Sequence, residues 1–227
     1  YVLDLPVGRV AFSTDTFVVS PLFFPGGDIG DLAINGTVND VAMSGAEVHA
    51  LSVGFVLEEG FPLADLHRIQ CSREAAANSP RGRVVTGAPP GVGKGSSDGL
   101  FLNPPGEGVH PEGVALSASS LAAGDVVLLS GTLADHGMAV MTVREGLSFQ
   151  SSVRSDTAAL NGMVRDLLEA SPGLKTLRDP TRGGAATTLN EFAAASKVGI
   201  KLDGSKVPVK PDVAGACEIL GIDPLDV

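Results

Sequence analysis

The sequence has 227 residues, a net charge of −10, 44% hydrophobic residues and no tryptophan. The length allows one large domain or two modest ones, and the acidic charge argues against binding to nucleic acid or to an anionic membrane. Apolar runs such as Val126 to Leu129 are too short to span a bilayer. Cys71 and Cys217 provide no disulfide framework, which favours a reducing, cytoplasmic location, and we expect both to be packing residues.

The first half of the chain alternates predicted strands and helices. Val10 to Val19 is typical of a strand interrupted by polar residues, and Asp28 is the expected N-cap of a helix from about Ile29 to Ser44. The other predicted elements are a helix at Pro62 to Ala77 and strands at Leu51 to Leu57, Arg83 to Thr86 and Gly99 to Asn103. Residues 104–113 are rich in proline and glycine, so we place a boundary just after them, between domains 1–114 and 115–227.

The second half is predicted to begin with a turn and a buried strand at 124–131. Asp135 is expected to cap a helix from His136 to about Glu145, and a further helix is expected from Asp156 to about Ala170. A short strand at 174–177 precedes a helix at 185–195. Strands that alternate with helices predict an α/β or α+β protein.

The segment from Leu177 to Gly184 predicts an anion-binding turn. Two glycines between a strand and a helix let the backbone approach a ligand, and N–H groups at the helix start point towards it. Arg182 can clamp a phosphate, and Asp179 can hold a metal ion that the phosphates share. Turns of this kind also occur without any ligand, so both interpretations stay open on these residues alone.

Two further acids lie in otherwise apolar surroundings. Asp15 falls within the first strand-like segment, and Asp40 follows Asn39 late in an apolar helix. Together with Asp179, such acids would supply the hard oxygen ligands that Mg²⁺ prefers. The alternative is that Asp15 ends a strand while Asn39 and Asp40 cap the helix or face water.

His136 is the one histidine in a chemically suggestive position. It follows Asp135 at a helix start, where the helix dipole favours the neutral imidazole, and a neutral ring can donate a hydrogen bond to a phosphoryl or carbonyl oxygen. An exposed histidine of the first turn is the plainer alternative.

Six segments, in order over nearly the whole chain, resemble the HypE family of hydrogenase maturation factors, in the superfamily of aminoimidazole-ribonucleotide synthetase and selenophosphate synthetase. They are residues 11–27, 36–42, 54–60, 130–137, 177–184 and 215–221. The first of these segments and the Asp-His-Gly turn at 135–137 are specific to HypE within the superfamily.

The resemblance implies a two-domain α/β fold with Mg·ATP bound in a cleft. The N-terminal domains of such proteins pair into a dimeric β-barrel, and the C-terminal domain, incomplete here, is expected to have a mixed sheet with flanking helices. By position, Asp15, Asp40 and Asp179 match the metal and nucleotide carboxylates. The remaining implied site residues are Asn39, Thr181 and Gly183 for the nucleotide, and His136 and Arg182 for catalysis.

The activity implied by the resemblance is an ATP-dependent carbamoyl dehydration. A carbamoyl group on a C-terminal cysteine becomes a thiocyanate, and its cyanide goes to iron in the assembly of the [NiFe]-hydrogenase site. The implied partners are a second copy of the chain, a carbamoyltransferase resembling HypF, and iron scaffolds resembling HypC and HypD. No nucleic acid and no membrane are expected.

The sequence departs from the family pattern in three ways. The C-terminal Pro-Arg-Ile-Cys and the glycine-rich N-terminal segment are not among the 227 residues, and Ala88-Pro89-Pro90 stands where the family has Asp-Thr-Lys. A missing carboxylate and a missing lysine would weaken metal and phosphate binding. Two alternatives therefore remain: a non-catalytic dimeric scaffold for maturation partners, and another synthetase of the superfamily, although the N-terminal reactive cysteine of selenophosphate synthetases is absent.

Overall fold

The computed structural model describes residues 8–78, 83–87, 91–147 and 152–227. The chain divides into two units: the first holds residues 1–23, 27–115 and 157–174, and the second holds residues 24–26, 116–156 and 175–227. The chain passes from the first unit to the second at 115/116, one residue after the predicted boundary, while the assignment of 24–26 to the second unit and the return of 157–174 to the first were not predicted. Within the described ranges, no helix is long and apolar enough to cross a membrane.

The first unit contains two mixed sheets. The described strands, including a separate two-stranded pair, are β1 (Val10–Ser13), β2 (Phe23–Phe24), β3 (Gly27–Asp28), β4 (Glu47–Ser52), β5 (Gly54–Glu58), β6 (Arg83–Thr86), β7 (Gly91–Val92), β8 (Leu100–Asn103) and β9 (Gly106–Val109). One sheet has the order β1-β9-β4-β6, the other has the order β7-β5-β8, and β2 pairs with β3. The β4–β6 and β5–β7 pairs are parallel and the other pairs within the two sheets are antiparallel.

Three helices accompany these sheets: α1 (Ile29–Met43), α2 (Leu63–Asn78) and α4 (Asn161–Ala170). Helix α1 begins where predicted, since the Asp28 carboxylate accepts hydrogen bonds from the backbone of Gly30 and Asp31 while Asp31 bonds back to the Asp28 N–H. The apolar face of α1 forms the centre of the core, and a Cβ at Gly106 or Gly108 would collide with its side chains. The glycines of β9 therefore let α1 lie close against the sheet.

Strand β9 lies within the proline- and glycine-rich residues 104–113, where no strand was predicted. Its glycines are required by the close approach of α1, and its backbone pairs with both β1 and β4. Helix α4 also begins later than the expected Asp156. The segment before it is held in a non-helical path because Asn39 bonds the backbone at Ala158 and Leu160.

In its described residues, the second unit has the helices α3 (Asp135–Arg144), α5 (Gly184–Ser196) and α6 (Pro211–Leu220) and the 3₁₀ turn Gly204–Lys206. Met138, Val213 and Cys217 are central to its core. The predicted strands at 124–131 and 174–177 are absent from the structure. Val126 to Leu129 are 44 to 81% exposed, because the described part of this unit offers no strand with which they could pair.

Candidate functional site

In the first unit, β1 and α1 hold the predicted acids. Strand β1 ends at Ser13, so Asp15 lies after the strand and not inside it. The Ser13 hydroxyl donates a hydrogen bond of 2.9 Å to Asp40 Oδ2, and Asp15 Oδ1 accepts one of 2.9 Å from the Thr16 backbone. Asn103 fixes the same loop by donating to the Asp15 carbonyl at 2.7 Å. Both carboxylates are half-buried, and both hydrogen bonds orient them as oxygen acceptors.

Asn39 has a structural role that sequence reasoning missed. Its amide donates to the Ala158 carbonyl at 3.0 Å and accepts from the Leu160 N–H at 2.8 Å, and the residue is 9% exposed. Both ends of the amide therefore join α1 to the segment before α4. The nucleotide contact implied for Asn39 stays a prediction.

In the second unit, two glycines shape the turn before α5, and the role of this turn in anion binding stays a prediction. Gly183 and Gly184 both adopt left-handed backbone, with φ of 74° and 59°. The backbone N–H groups of Gly184, Ala186 and Thr187 donate to the carbonyls of Thr181, Leu225 and Gly183, respectively. Much of the donor capacity of the helix start is thus used within the chain, because residues 225–227 occupy the space that Gly184 leaves open.

The side chains that precede these glycines differ in their exposure. Thr181 and Arg182 are exposed, and Asp179 is half-buried. The Asp179 carbonyl accepts a hydrogen bond of 2.9 Å from the Thr181 N–H, which closes a tight turn. The turn therefore presents the guanidinium of Arg182 and the carboxylate of Asp179 within four residues of each other.

His136 lies on the second residue of α3 in a half-buried setting. Its Nδ1 is 2.9 Å from Ser155 Oγ, and its ring meets Phe24 edge to face, with centroids 5.3 Å apart and planes at 80°. The Ser155 N–H donates to the Pro25 carbonyl, so residues 24–26 and 155 form one wall around the imidazole. Burial lowers the pKa of His136 from its ordinary value of 6.5, against an opposing effect of Asp156. The neutral imidazole is favoured as expected, by burial rather than by the helix dipole.

Asp135 is not the expected N-cap. The cap is Ala134, which has left-handed backbone with φ of 67°, and Asp135 is the first helical residue, with a side chain that is 0% exposed. Its carboxylate accepts a hydrogen bond from the Thr132 hydroxyl, and Lys210 Nζ lies 2.8 Å from Oδ1 in an ion pair. Sequence reasoning missed the pair because no local pattern links positions 135 and 210.

The cysteines differ from each other. Cys217 is 2% exposed and packs in the core as predicted. Cys71 is exposed on α2, so the expectation that it packs was wrong, and its Sγ lies 3.8 Å from Nδ1 of His67, one helical turn earlier.

The described side chains do not form a single cluster of metal ligands. Among the described residues, no group of three or more His, Cys, Asp or Glu side chains is placed to hold a metal ion. Mg²⁺ often takes one or two carboxylates and completes its shell with phosphates and water, so the metal roles of Asp15, Asp40 and Asp179 stay predictions. Ala88-Pro89-Pro90 lie outside the described residues.

Comparison with known proteins gives the family. Residues 1–90 match the AIR synthase related protein N-terminal domain, and residues 122–226 match the corresponding C-terminal domain. A solved HypE, in a HypE–HypF complex, is 48% identical to this chain with a TM-score of 0.94, covering 98% of this chain and 73% of that one. The chain belongs to the HypE family.

Two other relatives support the assignment to HypE. A solved HypE in complex with ATP has a TM-score of 0.96 and 45% identity, covering 100% of this chain and 67% of that one. The carbamoyl dehydratase HypE of Azotobacter vinelandii is 52% identical over 224 residues, which are 99% of this chain and 66% of the relative. The resemblance and the α/β fold inferred from the motifs are confirmed, and this chain spans about 66% of the length of that HypE.

Proposed function

We propose that this chain carries out the ATP-dependent dehydration of a cysteine-bound carboxamide to a thiocyanate, which supplies cyanide for the [NiFe]-hydrogenase site. The observation that carries the proposal is the match to HypE relatives, one named carbamoyl dehydratase and one solved with ATP, over nearly all of this chain. The carbamoyl carbon keeps its bond to sulfur and to nitrogen throughout. Its oxygen leaves with the γ-phosphoryl group of ATP as inorganic phosphate, ADP is released, and the nitrogen loses both of its protons.

The proposed nucleotide and metal ligands fit the chemistry of Mg·ATP. Asp15 and Asp40 offer half-buried carboxylates, and the Ser13 hydroxyl donates a hydrogen bond that orients the carboxylate of Asp40. Asp179 supplies a third carboxylate, with Asn39, Thr181 and Gly183 as nucleotide contacts. When bound, Mg²⁺ would neutralise charge on the phosphates. The solved HypE–ATP relative supports this part of the proposal.

Arg182 and His136 are the proposed catalytic residues. The exposed guanidinium of Arg182 is suited to stabilise charge on the phosphoryl group as it transfers, because a planar guanidinium binds two phosphate oxygens at once. His136 is held through Nδ1 by Ser155, so Nε2 is the nitrogen that we assign to the substrate. A neutral Nε2 can take a proton from the amide nitrogen as the phosphorylated oxygen leaves, because burial keeps the imidazole unprotonated at neutral pH.

The proposed partners follow from the same relatives and from one surface. The HypE–HypF complex supports a HypF-like carbamoyltransferase as the source of the carbamoyl group, and HypC-like and HypD-like scaffolds are the proposed cyanide acceptors. Strand β1 lies at a sheet edge with Val10 50% and Phe12 69% exposed. Apolar side chains on an open edge support pairing with a second copy of the chain. We place this assembly in the cytoplasm.

A peptide assay tests the proposal. The chain is incubated with Mg·ATP and a synthetic peptide that ends in an S-carbamoylated cysteine, and mass spectrometry follows the loss of one water from the peptide. We expect thiocyanate formation, and a loss of about a hundredfold or more in rate for His136→Gln. The control His49→Gln, at an exposed position, should keep the rate. ATP binding without any thiocyanate would contradict the dehydratase and leave the scaffold.

A further inference from the structure

The turn that precedes His136 has a strained backbone, and contacts with a distant segment hold it in place. Ala134 is one of two non-glycine residues with positive φ in the described part of the chain, and it directly precedes the Asp135-His136 pair. Left-handed backbone costs an alanine about 1 to 2 kcal/mol. Such strain persists only where the surrounding contacts hold it, and it concentrates at functional turns.

Two contacts from the segment before α6 hold this turn. The Leu133 N–H donates to the Pro208 carbonyl at 2.9 Å, and Lys210 Nζ reaches Asp135 Oδ1 at 2.8 Å. The Thr132 hydroxyl donates to the same carboxylate. One neutral and one charged contact, on either side of Ala134, therefore join residues 132–135 to residues 208–210. We call these two contacts the brace.

Stability alone does not explain the ion pair between Asp135 and Lys210. Burying a carboxylate costs several kcal/mol, and a well-packed apolar pair often stabilises a core as much as a buried ion pair does. What an ion pair adds is a fixed geometry, because only one arrangement leaves the charge compensated. The residue whose place that geometry fixes is His136, next in the chain and bonded through Nδ1 to Ser155.

We propose that Lys210 is a positioning residue for His136, acting through the buried Asp135 carboxylate. The ammonium holds Asp135, Asp135 holds the strained turn, and the turn holds the imidazole against Ser155 and Phe24. Lys210 is itself 54% exposed and is not part of the apolar core of the unit, so its loss acts through the buried Asp135 carboxylate that it leaves uncompensated. The raised pKa of Lys210, caused by the Asp135 carboxylate, keeps the ammonium charged. The catalytic role of His136 rests on the proposed function, whereas the brace does not.

Nuclear magnetic resonance of ring-labelled histidine tests the brace directly, since the chain has four histidines. In Lys210→Met we expect the His136 ring signals to shift or broaden while the other three stay in place. Lys210→Arg should restore the wild-type signals, and Lys201→Met, at an exposed lysine of the same unit, should change none. Unchanged His136 signals in Lys210→Met would overturn the proposal. Should that variant fail to fold, unchanged His136 signals in Asp135→Asn, which removes the ion pair without leaving a buried charge, would do so.

The peptide assay separates this proposal from the proposed function. A misplaced catalytic group costs about ten- to a hundredfold in rate, so Lys210→Met should lower kcat by about tenfold or more and leave the KM for ATP unchanged. Lys210→Arg should recover the rate. A chain without dehydratase activity whose His136 signals still respond to Lys210→Met would refute the function and support the brace. An active chain insensitive to Lys210→Met would refute the brace.

Discussion

Gly184 distinguishes a glycine needed for packing from a glycine needed for a ligand. A Cβ at this position would collide with the Leu225 carbonyl oxygen and lie 2.7 Å from the Val227 nitrogen, both backbone atoms. The residue also has φ of 59°. We therefore expect Gly184→Ala to displace residues 225–227 from the start of α5.

The size of the effect follows from two losses. Left-handed backbone costs alanine about 1 to 2 kcal/mol, and displacement of Leu225 breaks its hydrogen bond from the Ala186 N–H, which contributes about 0.5 to 1.5 kcal/mol. Together these lower the free energy of unfolding by about 1.5 to 3.5 kcal/mol. Gly215→Ala is the matched control in α6, because nothing lies within 4 Å of its Cβ. Alanine there should stabilise the helix by about 0.5 to 1 kcal/mol.

Urea unfolding followed by circular dichroism measures both variants, and calorimetry measures their Mg·ATP affinity. We expect Gly184→Ala to unfold at lower urea and Gly215→Ala at slightly higher urea than the wild type. A Gly184→Ala chain of wild-type stability that has lost nucleotide binding would refute the packing argument. It would show instead that the glycine is needed for the approach of phosphate.

Three further predictions concern the turn, the histidine and the thiols. Ala134→Gly should raise the free energy of unfolding by about 0.5 to 1 kcal/mol in urea titrations, because glycine accepts left-handed backbone; a loss of stability would contradict it. The pKa of His136 lies below 6.5 in the folded state, so the unfolded state binds a proton at a higher pH than the folded state does. The free energy of unfolding should therefore fall as the pH drops from about 6.5 towards the lowered pKa, by at most about 1.4 kcal/mol per pH unit. His136→Gln should flatten this profile, and an unchanged slope would refute the neutral imidazole. Cys71 should react with Ellman's reagent in the native chain, whereas Cys217 should react only after unfolding, because burial shields its thiol and raises the pKa of that thiol. Cys71→Ser should abolish the fast phase of the reaction. A fast phase that persists in this variant would contradict the burial of Cys217.

Local signals predicted much of the first unit. Asp28, followed by an apolar period, predicted α1 to within one residue at its end, because a capping box and a buried face act within a few residues of sequence. Strand β9 could not be predicted, since its glycines are explained only by the approach of α1, which is distant in the chain.

The candidate site shows the same division between local and distant causes. Sequence motifs predicted the candidate site residues and the family, and the family is confirmed. The setting of His136 depends on residues 24–26 and 155, and that of Asp135 on Lys210. The buried strand predicted at 126–129 failed for a related reason: apolar composition predicts burial only where a partner strand is present.

Calorimetric titration of this chain with Mg·ATP tests the central claim most directly. The account predicts saturable binding to the wild type, loss of that binding in Asp40→Asn, and wild-type binding in the control Asp166→Asn, whose carboxylate is 70% exposed in the same unit. Absence of binding to the wild type, or equal binding to Asp40→Asn, would contradict the account.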